Sequence, residues 1–576
     1  MHLSESYSRP VFVLGSRPLF FSVEEPLPQG YLTRDERQQL DAQEQTLLEN
    51  NDLLPNPAAV LDTVMEIEEP PEPTHDLEPS ETTSLLSRPG DSQSVREVTR
   101  AERRRRWEEA VTGQQLDTTW KYEAKLLYAT SVPMVVTFML QYSLQFASIF
   151  SLGRLGRDEL AAASLASMTA AITMISVVQG LATSLDSLCS QSFGANQPFL
   201  LGLHLQRAML LLLLCLVPIG TLWLYSEQLF LHFGQPAEIA ILAAQYLQLL
   251  LIGAPAFALY IALSKFAASQ GNFSISTYSL VLAAPLNAIL NYVLVWHPEL
   301  GIGFAGGPIA MSISYWTMFL SMVLFIRYGK ARHAWHGFSK QAFTNWGPML
   351  RLAGPGLLMC TTEWFAYECM AFSASLIGVV PLAAQAIGAT SINLIYQVSF
   401  GASCCVAARV GTLLGAGLPK PARTATYVGV GASVLIGATS GLAILLLRFD
   451  WGRLFTDDGG VIRAAAKILP LCAFFNVFDC VQVLTSGVLR GQGRVHIGGW
   501  LNLAGYYLVA IPLGLLLCFT YGWGLAGLWT GMCIAIVLIS GGQAYYVLSA
   551  DWQQLVEMIQ MRILASGEAA AHRHLA

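Results

Sequence analysis

The stretch GFAGGPIAM at residues 303–311 is repeated as GLAGLWTGM at residues 524–532, an offset of 221 positions with four identities. The same offset, within one residue, aligns five further pieces of the chain. A single coincidence of this kind arises by chance among small and apolar residues, but six with one offset indicate an internal repeat. The other aligned pieces are Pro133 with Pro355, Gly156 with Gly378, 160–162 with 382–384, 194–198 with 415–419, and 270–271 with 492–493.

The repeated region is strongly apolar. Of the 576 residues, 53% are hydrophobic and 12% are charged, and the mean hydropathy is +0.47. This composition excludes a soluble globular fold and is typical of an integral membrane protein. Apolar segments of about twenty residues can span a bilayer, and twelve are predicted. They cover residues 124–151, 159–184, 202–226, 238–264, 273–297, 305–328, 346–377, 382–406, 423–447, 462–487, 496–520 and 524–549.

The predicted fold is therefore an all-α membrane protein with twelve transmembrane helices in two pseudo-symmetric six-helix lobes. Each repeat has an even number of spans, so both have the same orientation, with an axis along the membrane normal and a cavity between them. Basic residues ahead of the first span and in the central connection place both termini in the cytoplasm. The predicted domains are a disordered cytoplasmic tail (1–118), the N-lobe (119–328), a cytoplasmic linker (329–345), the C-lobe (346–549) and a cytoplasmic C-terminal tail (550–576).

Other functional classes find little support in the composition. The formal charge of −6 comes from an acidic N-terminal tail and does not suggest nucleic-acid binding. The ten cysteines lie in or beside apolar segments, which indicates neither a disulfide framework nor a zinc site. We expect a monomer that is not an enzyme and has no cofactor or bound metal. Glu81, Leu85 and Leu86 resemble an acidic dileucine signal for an adaptor complex, which favours the vacuolar membrane over the plasma membrane.

Three carboxylates lie deep in the predicted spans, namely Glu363, Glu368 and Asp479. A charge at the bilayer centre costs at least about 2.5 kcal/mol and usually marks a pathway or a coupling site. Burial favours the protonated form of a carboxylate, so these groups are candidates for proton coupling. The alternative is that each acid only forms hydrogen bonds with a neighbouring helix. Glu363 and Glu368 are five residues apart and do not share a helix face, whereas Tyr367 shares the face of Glu363.

The repeat shows that these acids are confined to the second half. Glu363 aligns with Gln141, and Asp479 aligns with Phe257 or Ala258. The charged residues at the cytoplasmic helix ends are predicted to have structural or gating roles and not a coupling role. Asp186 is interpreted as a satisfied helix-end acid, and Arg409 and Arg490 as partners of helix dipoles or as ion pairs of an inner gate.

Four segments carry a resemblance to a known family. They are SLDSLCSQSFGA (184–195), TEWFAYE (362–368), AARVGTLLGAG (407–417) and LTSGVLRGQGRVHIGGWLNLAGYYLVAIPLGLLL (484–517). Over about residues 120 to 550 the chain resembles the eukaryotic branch of the multidrug and toxic compound extrusion (MATE) transporters. The resemblance implies a V-shaped pair of lobes that exchanges xenobiotics, organic cations or metabolites of the cytosol for protons or sodium.

The resemblance also implies roles for particular residues. The acids matching Glu363, Glu368 and Asp479 serve in cation coupling, and substrate lies near the aromatic residues matching Trp364, Tyr367 and Tyr396. Where prokaryotic relatives carry acids, this chain has Gln141 on the first helix and Asn287 and Asn291 on the fifth. Thr390 stands where animal organic-cation exporters carry a Glu, which brings the chain closer to plant and fungal members. Gln141 and Thr390 are retained as candidate substrate contacts.

The leading hypothesis is thus a proton-coupled antiporter for small organic solutes that works by alternating access in a lipid bilayer. Two alternatives are a sodium-coupled exporter and a flippase for lipid-linked saccharides. Such flippases tend to have a strongly cationic cavity, and this membrane region offers acids instead. A third alternative is a non-transporting membrane scaffold acting through its long tail, which full transport after deletion of residues 1–118 would exclude.

Overall fold

A computed structural model describes residues 118–329, 334–335 and 337–571. Twelve long helices form two lobes of six, and a thirteenth follows them. The tail over residues 1–117, including the Glu81–Leu86 signal, lies outside the described residues. The helices are α1 (Trp120–Gly153), α2 (Arg157–Gly194), α3 (Pro198–Leu224), α4 (Ala237–Leu250 with Ala254–Ser269), α5 (Ser274–Trp296), α6 (Gly303–Tyr328), α7 (Gly347–Ile377), α8 (Val379–Gly415), α9 (Pro419–Leu447), α10 (Gly459–Gln492), α11 (Val495–Thr520), α12 (Leu525–Leu548) and α13 (Trp552–Ala571).

Ten of these helices are long and apolar enough to cross a membrane by themselves. An eleventh span is α4, whose two segments meet at an angle of 51°. The twelfth is α7, which has 31 residues but is less apolar because it carries Glu363 and Glu368. The least apolar of the twelve spans thus carries two of the three candidate coupling acids, and the third, Asp479, lies on α10.

The helix α8 is longer than predicted. Its 37 residues correspond to roughly 55 Å, well beyond a hydrocarbon core of about 30 Å. Arg409 therefore lies inside α8 and not at its end, whereas Arg490 lies in the last turn of α10. The helix stops only near Gly417, which has a φ of +75° that favours glycine.

The lobes contact each other mainly through α2 against α7 and α8, and through α1 against α8. These contacts occur in pairs that are related by the offset of 221 residues between the two repeats. Gly194 packs against Thr412, and in the equivalent contact Gly415 packs against Gln191. Ser190 packs against Gly411, its own equivalent. A contact between two equivalent positions must lie on the axis that relates them, so the internal repeat is a pseudo-two-fold relation in space.

A second pair of equivalent contacts lies deeper in the same interface. Gly180 packs against Gly356, and Gly401 packs against Val135. In each contact a glycine lets the backbone of the partner helix approach, as small residues do where membrane helices pack closely. We call the end of the bundle that carries 194–198 and 415–419 the inner end, because the basic residues near the chain's cytoplasmic loops predict that this end faces the cytoplasm.

The helix α13 lies across the inner end, within the segment that the sequence analysis treated only as a C-terminal tail. Its Trp552 and Leu555 are buried with the C-lobe residues Leu414 and Leu418. Its Ile563 packs among N-lobe and linker residues, namely Leu200, Leu203 and Ala342. One helix thus contacts both lobes at the inner end.

Candidate coupling site and inner gate

The C-lobe brings together two of the three predicted acids. Glu363 on α7 is 8% exposed and Asp479 on α10 is 1% exposed. They lie close enough for their charges to interact, and Arg490 also acts on Glu363. Oδ1 of Asp479 has no hydrogen-bond partner among the described residues. We call Glu363 and Asp479 the acid pair. Glu368 is half-buried on another face of α7.

Three tyrosines lie within electrostatic range of the acid pair, and two of them were singled out from the sequence. These two are Tyr367 and Tyr396, both half-buried. The third, Tyr506 on α11, is fully buried, and its hydroxyl has no hydrogen-bond partner among the described residues. The sequence offered no signal for Tyr506, since tyrosine is common in membrane helices.

The other candidate substrate contacts are distributed over both lobes. Trp364 packs against the large core cluster that is built mainly from the N-lobe. Gln141 on α1 and Thr390 on α8 are both half-buried. The structure therefore places these three side chains on helices of both lobes, whereas the acid pair belongs to the C-lobe alone.

A network of buried amides supports the acid pair from the inner side. The side chain of Asn502 on α11 accepts hydrogen bonds from Gln482 (3.3 Å) and Gln543 (3.0 Å). It donates one to the backbone oxygen of Met359 (3.1 Å). Met359 is one helical turn before Glu363, and Gln482 is one turn after Asp479. The network therefore fixes α7, α10, α11 and α12 relative to one another beside the acids. The sequence does not indicate this network, because a single Asn or Gln in a membrane helix does not reveal its partners.

A buried ion cluster joins the two lobes at the inner end. Asp186 Oδ2 lies 3.0 Å from Nζ of Lys265 on α4 and 3.0 Å from Nε of Arg490 on α10. The three side chains are between 3% and 12% exposed. Asp186, interpreted from the sequence as a helix-end acid, thus holds a cation from each lobe. We call these three residues the ion cluster.

A second ion pair joins the lobes beside it. The guanidinium of Arg409 on α8 donates two hydrogen bonds to the carboxylate of Glu123 on α1, at 2.6 and 3.1 Å. Glu123 is 2% exposed. It was not singled out from the sequence because it immediately precedes the predicted first span. A small cavity adjoins this pair and is lined by residues of both lobes, including Thr130, Phe273 and Cys405.

Phe400 on α8 connects the ion cluster with the aromatic residues of the site. The Lys265 ammonium and the Arg490 guanidinium each lie 5.7 Å from its ring centroid. Tyr396 stacks on the same ring, with centroids 5.5 Å apart and planes 12° apart. Phe138 of the N-lobe contacts it edge-on at 4.9 Å. Phe400 was not predicted, since a lone aromatic in a membrane helix carries no signal of its partners.

The described residues contain no group of three or more His, Cys, Asp or Glu side chains that could hold a metal ion. What the arrangement offers chemically is a buried acid pair that can exchange protons. Beside it stand an aromatic surface and two ion pairs that close the inner end.

Comparison with known proteins locates both halves of the chain in one family. The sequence model of the MatE family matches residues 133–293 and again residues 355–516. An uncharacterized transporter of Schizosaccharomyces pombe is 40% identical over 76% of this chain and 81% of its own length. The human multidrug and toxin extrusion protein 1 is 31% identical over 77% of this chain and 78% of its own length.

Solved structures show the same architecture. The crystal structure of the eukaryotic MATE transporter AtDTX14 superimposes with a TM-score of 0.73 at 28% sequence identity. It covers 77% of this chain and 99% of that one.

Proposed function

Since the chain belongs to the MatE family of transporters, we propose that it exports small organic solutes from the cytosol in exchange for protons. It is a multi-pass membrane protein of a family that carries out efflux transport. The further points, namely the coupling ion, the substrates and the residues involved, rest on the contacts described above.

The acid pair is the observation that supports proton coupling. Two carboxylates that are buried near each other cannot both be ionised without a large cost in free energy, so the pair takes up a proton readily. Exposure to water on one side of the membrane lowers that cost and releases the proton. The pair can therefore carry a proton through a change of access.

The N-lobe offers no equivalent acids at the matching positions, where Gln141 stands for Glu363 and Phe257 or Ala258 for Asp479. The two asparagines of α5 are engaged in structural hydrogen bonds. Asn287 donates to Ser314 at 3.0 Å, and Asn291 donates to the backbone oxygen of Asn287 at 2.9 Å. This favours a single coupling site in the C-lobe, and it favours protons over sodium, which would need a preformed set of oxygen ligands.

The two ion pairs support alternating access. With Asp186 bound to Arg490 and Glu123 bound to Arg409, the two lobes are held together at the inner end, as expected of a state that is closed to the cytosol. Opening toward the cytosol requires these contacts to separate as the lobes rotate. Arg409 and Arg490 then act as the inner-gate residues.

The aromatic side chains of the site support the proposal that the substrate is a small organic molecule. Tyr367, Tyr396 and Trp364 provide ring faces for apolar molecules and organic cations, which bind such faces with about 0.5–2 kcal/mol per contact. Gln141 and Thr390 add hydrogen-bonding groups. Phosphate groups of a lipid-linked saccharide would need free cations, whereas Lys265 and Arg490 are both bound to Asp186. We further propose a monomer in the vacuolar or the plasma membrane, with sorting through Glu81, Leu85 and Leu86.

Transport by the purified protein in proteoliposomes tests the proposal. A panel of organic solutes is presented under an imposed pH gradient, with and without sodium. We expect uptake that follows the pH gradient and is abolished by Glu363→Gln and by Asp479→Asn. The matched control is Asp450→Asn, which changes an acid that is 69% exposed. Uptake that needs sodium, or that survives both substitutions, would refute proton coupling by this pair.

A further inference from the structure

The ion cluster contains two cations and one carboxylate, so it carries a formal charge of +1 in a buried position. Other groups stabilise the excess charge only in part. Arg490 donates a hydrogen bond to the Ser403 hydroxyl at 2.9 Å, and Lys265 donates one to Sγ of Cys404 at 3.5 Å. Both cations also face the ring of Phe400. These are neutral partners, and a buried cation is costly without a matching anion.

The acid pair contributes a further carboxylate, that of Glu363, which acts on the ion cluster. Arg490 and Glu363 interact electrostatically, although the ion pair of Arg490 is with Asp186, at 3.0 Å between Nε and Oδ2. An ionised acid pair therefore supplies the missing negative charge to the ion cluster. The titratable and charged groups around the cluster come from six helices: Asp186 on α2, Lys265 on α4, Cys360, Glu363 and Tyr367 on α7, Tyr396 and Cys404 on α8, Asp479 and Arg490 on α10, and Tyr506 on α11.

We propose that the inner gate responds to the charge of the acid pair through the excess cation of the ion cluster. While Glu363 or Asp479 is ionised, the cluster is neutralised and holds α2 against α10. When both acids are neutral, the cluster retains an unmatched cation away from water. Separation of the lobes then becomes favourable, because it admits water to Lys265 and Arg490. Arg490 is the positioning residue of this device, since it contacts Asp186 directly and interacts with Glu363.

The direction of this effect suits an exporter. Proton uptake from the outer side neutralises the acid pair and favours opening toward the cytosol, whereas proton release restores the closed gate. The inference rests on the proposed function only in its choice of Glu363 and Asp479 as the coupling acids. The linkage between acid charge and gate closure can be measured without any substrate or gradient.

Amide hydrogen exchange of the full chain in lipid nanodiscs, at one fixed pH, tests the proposal. The readout is the exchange of residues 186–197 and 407–417, which the closed gate buries. We expect the double substitution Glu363→Gln with Asp479→Asn to raise this exchange by tenfold or more. Adding Lys265→Met leaves Asp186 and Arg490 as a balanced pair. We expect this third substitution to bring the exchange back to within about threefold of the unsubstituted protein.

The Glu123–Arg409 pair provides the control, since it also joins the lobes but is balanced in charge. Glu123→Gln should raise exchange by the same factor whether the acid pair is neutralised or not. Lys265→Gln, which keeps a donor to Asp186, replaces Lys265→Met if the latter does not fold.

Exchange that is unchanged by neutral acids, or that is not reversed by removing the Lys265 charge, overturns the inference. A failure of proton-driven uptake with the expected exchange pattern would instead count against the proposed function alone.

Discussion

Gly411 packs directly against Ser190, the residue that occupies its equivalent position in the other lobe. A Cβ atom on Gly411 would lie 2.8 Å from Cβ of Ser190 and still closer to its hydroxyl oxygen. The two lobes therefore meet on their axis with no room for another carbon atom. This contact is next to Asp186, whose backbone oxygen accepts a hydrogen bond from the Ser190 hydroxyl.

Gly411→Ala should weaken the closed inner gate. The added methyl group overlaps Ser190, and the conflict is relieved only when α2 and α8 move apart. We expect the exchange of residues 186–197 to rise at least several-fold in hydrogen-exchange measurements. Gly431→Ala is the matched control, because no atom lies within 4 Å of a Cβ at this position on α9. Equal effects of the two substitutions would rule out a specific contact at the axis.

Glu123→Gln should destabilise the protein by about 3–5 kcal/mol, since it removes one charge of a buried ion pair whose carboxylate accepts two hydrogen bonds from Arg409. The expected result is a clearly lower midpoint of thermal unfolding in detergent. The exposed pair of Arg453 with Asp450, in which both side chains are about 70% exposed, provides the comparison. Asp450→Asn should change stability by less than about 1 kcal/mol. If the two substitutions lower the midpoint equally, the buried pair does not hold the lobes together.

Asn502→Leu should reduce stability by several kcal/mol, because the Gln482 and Gln543 amides lose their shared acceptor. Each buried polar group left without a partner costs about 1–3 kcal/mol. We expect a lower unfolding midpoint and weaker solute uptake, as α7 and α10 are no longer fixed beside the acid pair. Thr439→Ala is the control, since this exposed hydroxyl bonds only to the backbone of its own helix. An unchanged midpoint for Asn502→Leu would show that the network is not structural.

Ile563→Asn should release the end of α13 from the N-lobe. Ile563 packs among Leu200, Leu203 and Ala342, whereas its neighbour Leu564 is 65% exposed. We expect faster amide exchange over residues 560–566 in the Ile563 variant and no change in Leu564→Asn. Exchange near Trp552 should remain slow, because that end of α13 is held by the C-lobe. Equal protection in both variants would mean that α13 does not bridge the lobes.

Hydropathy predicted which segments are transmembrane helices but not the residues at which the helices end. The prediction for the eighth span stopped at residue 406, where the apolar character falls, while α8 continues to Gly415. Backbone hydrogen bonds do not end at the membrane surface, and this helix ends just before Gly417, which has a left-handed conformation. Membrane thickness determines the apolar length of a segment, and local capping determines the length of the helix.

The acids Glu363 and Asp479 could be found from the sequence because a carboxylate in an apolar segment is conspicuous. Their neighbours could not. Lys265, Phe400 and Tyr506 lie on α4, α8 and α11, and nothing in their own segments indicates what they contact. Glu123 was missed for a related reason, since its partner Arg409 belongs to the other lobe.

The sequence by itself determined the apolar spans, the repeat that makes two like-oriented lobes, and the confinement of the deep acids to one of them. These properties follow from the cost of polar groups in lipid, which acts on each segment separately. Only the tertiary structure decided which charges pair across the lobes, with Asp186 between Lys265 and Arg490 and with Arg409 on Glu123. Those pairings depend on distances between residues far apart in the chain. The distances are set by how closely the glycine-lined helices of the two lobes approach on their common axis.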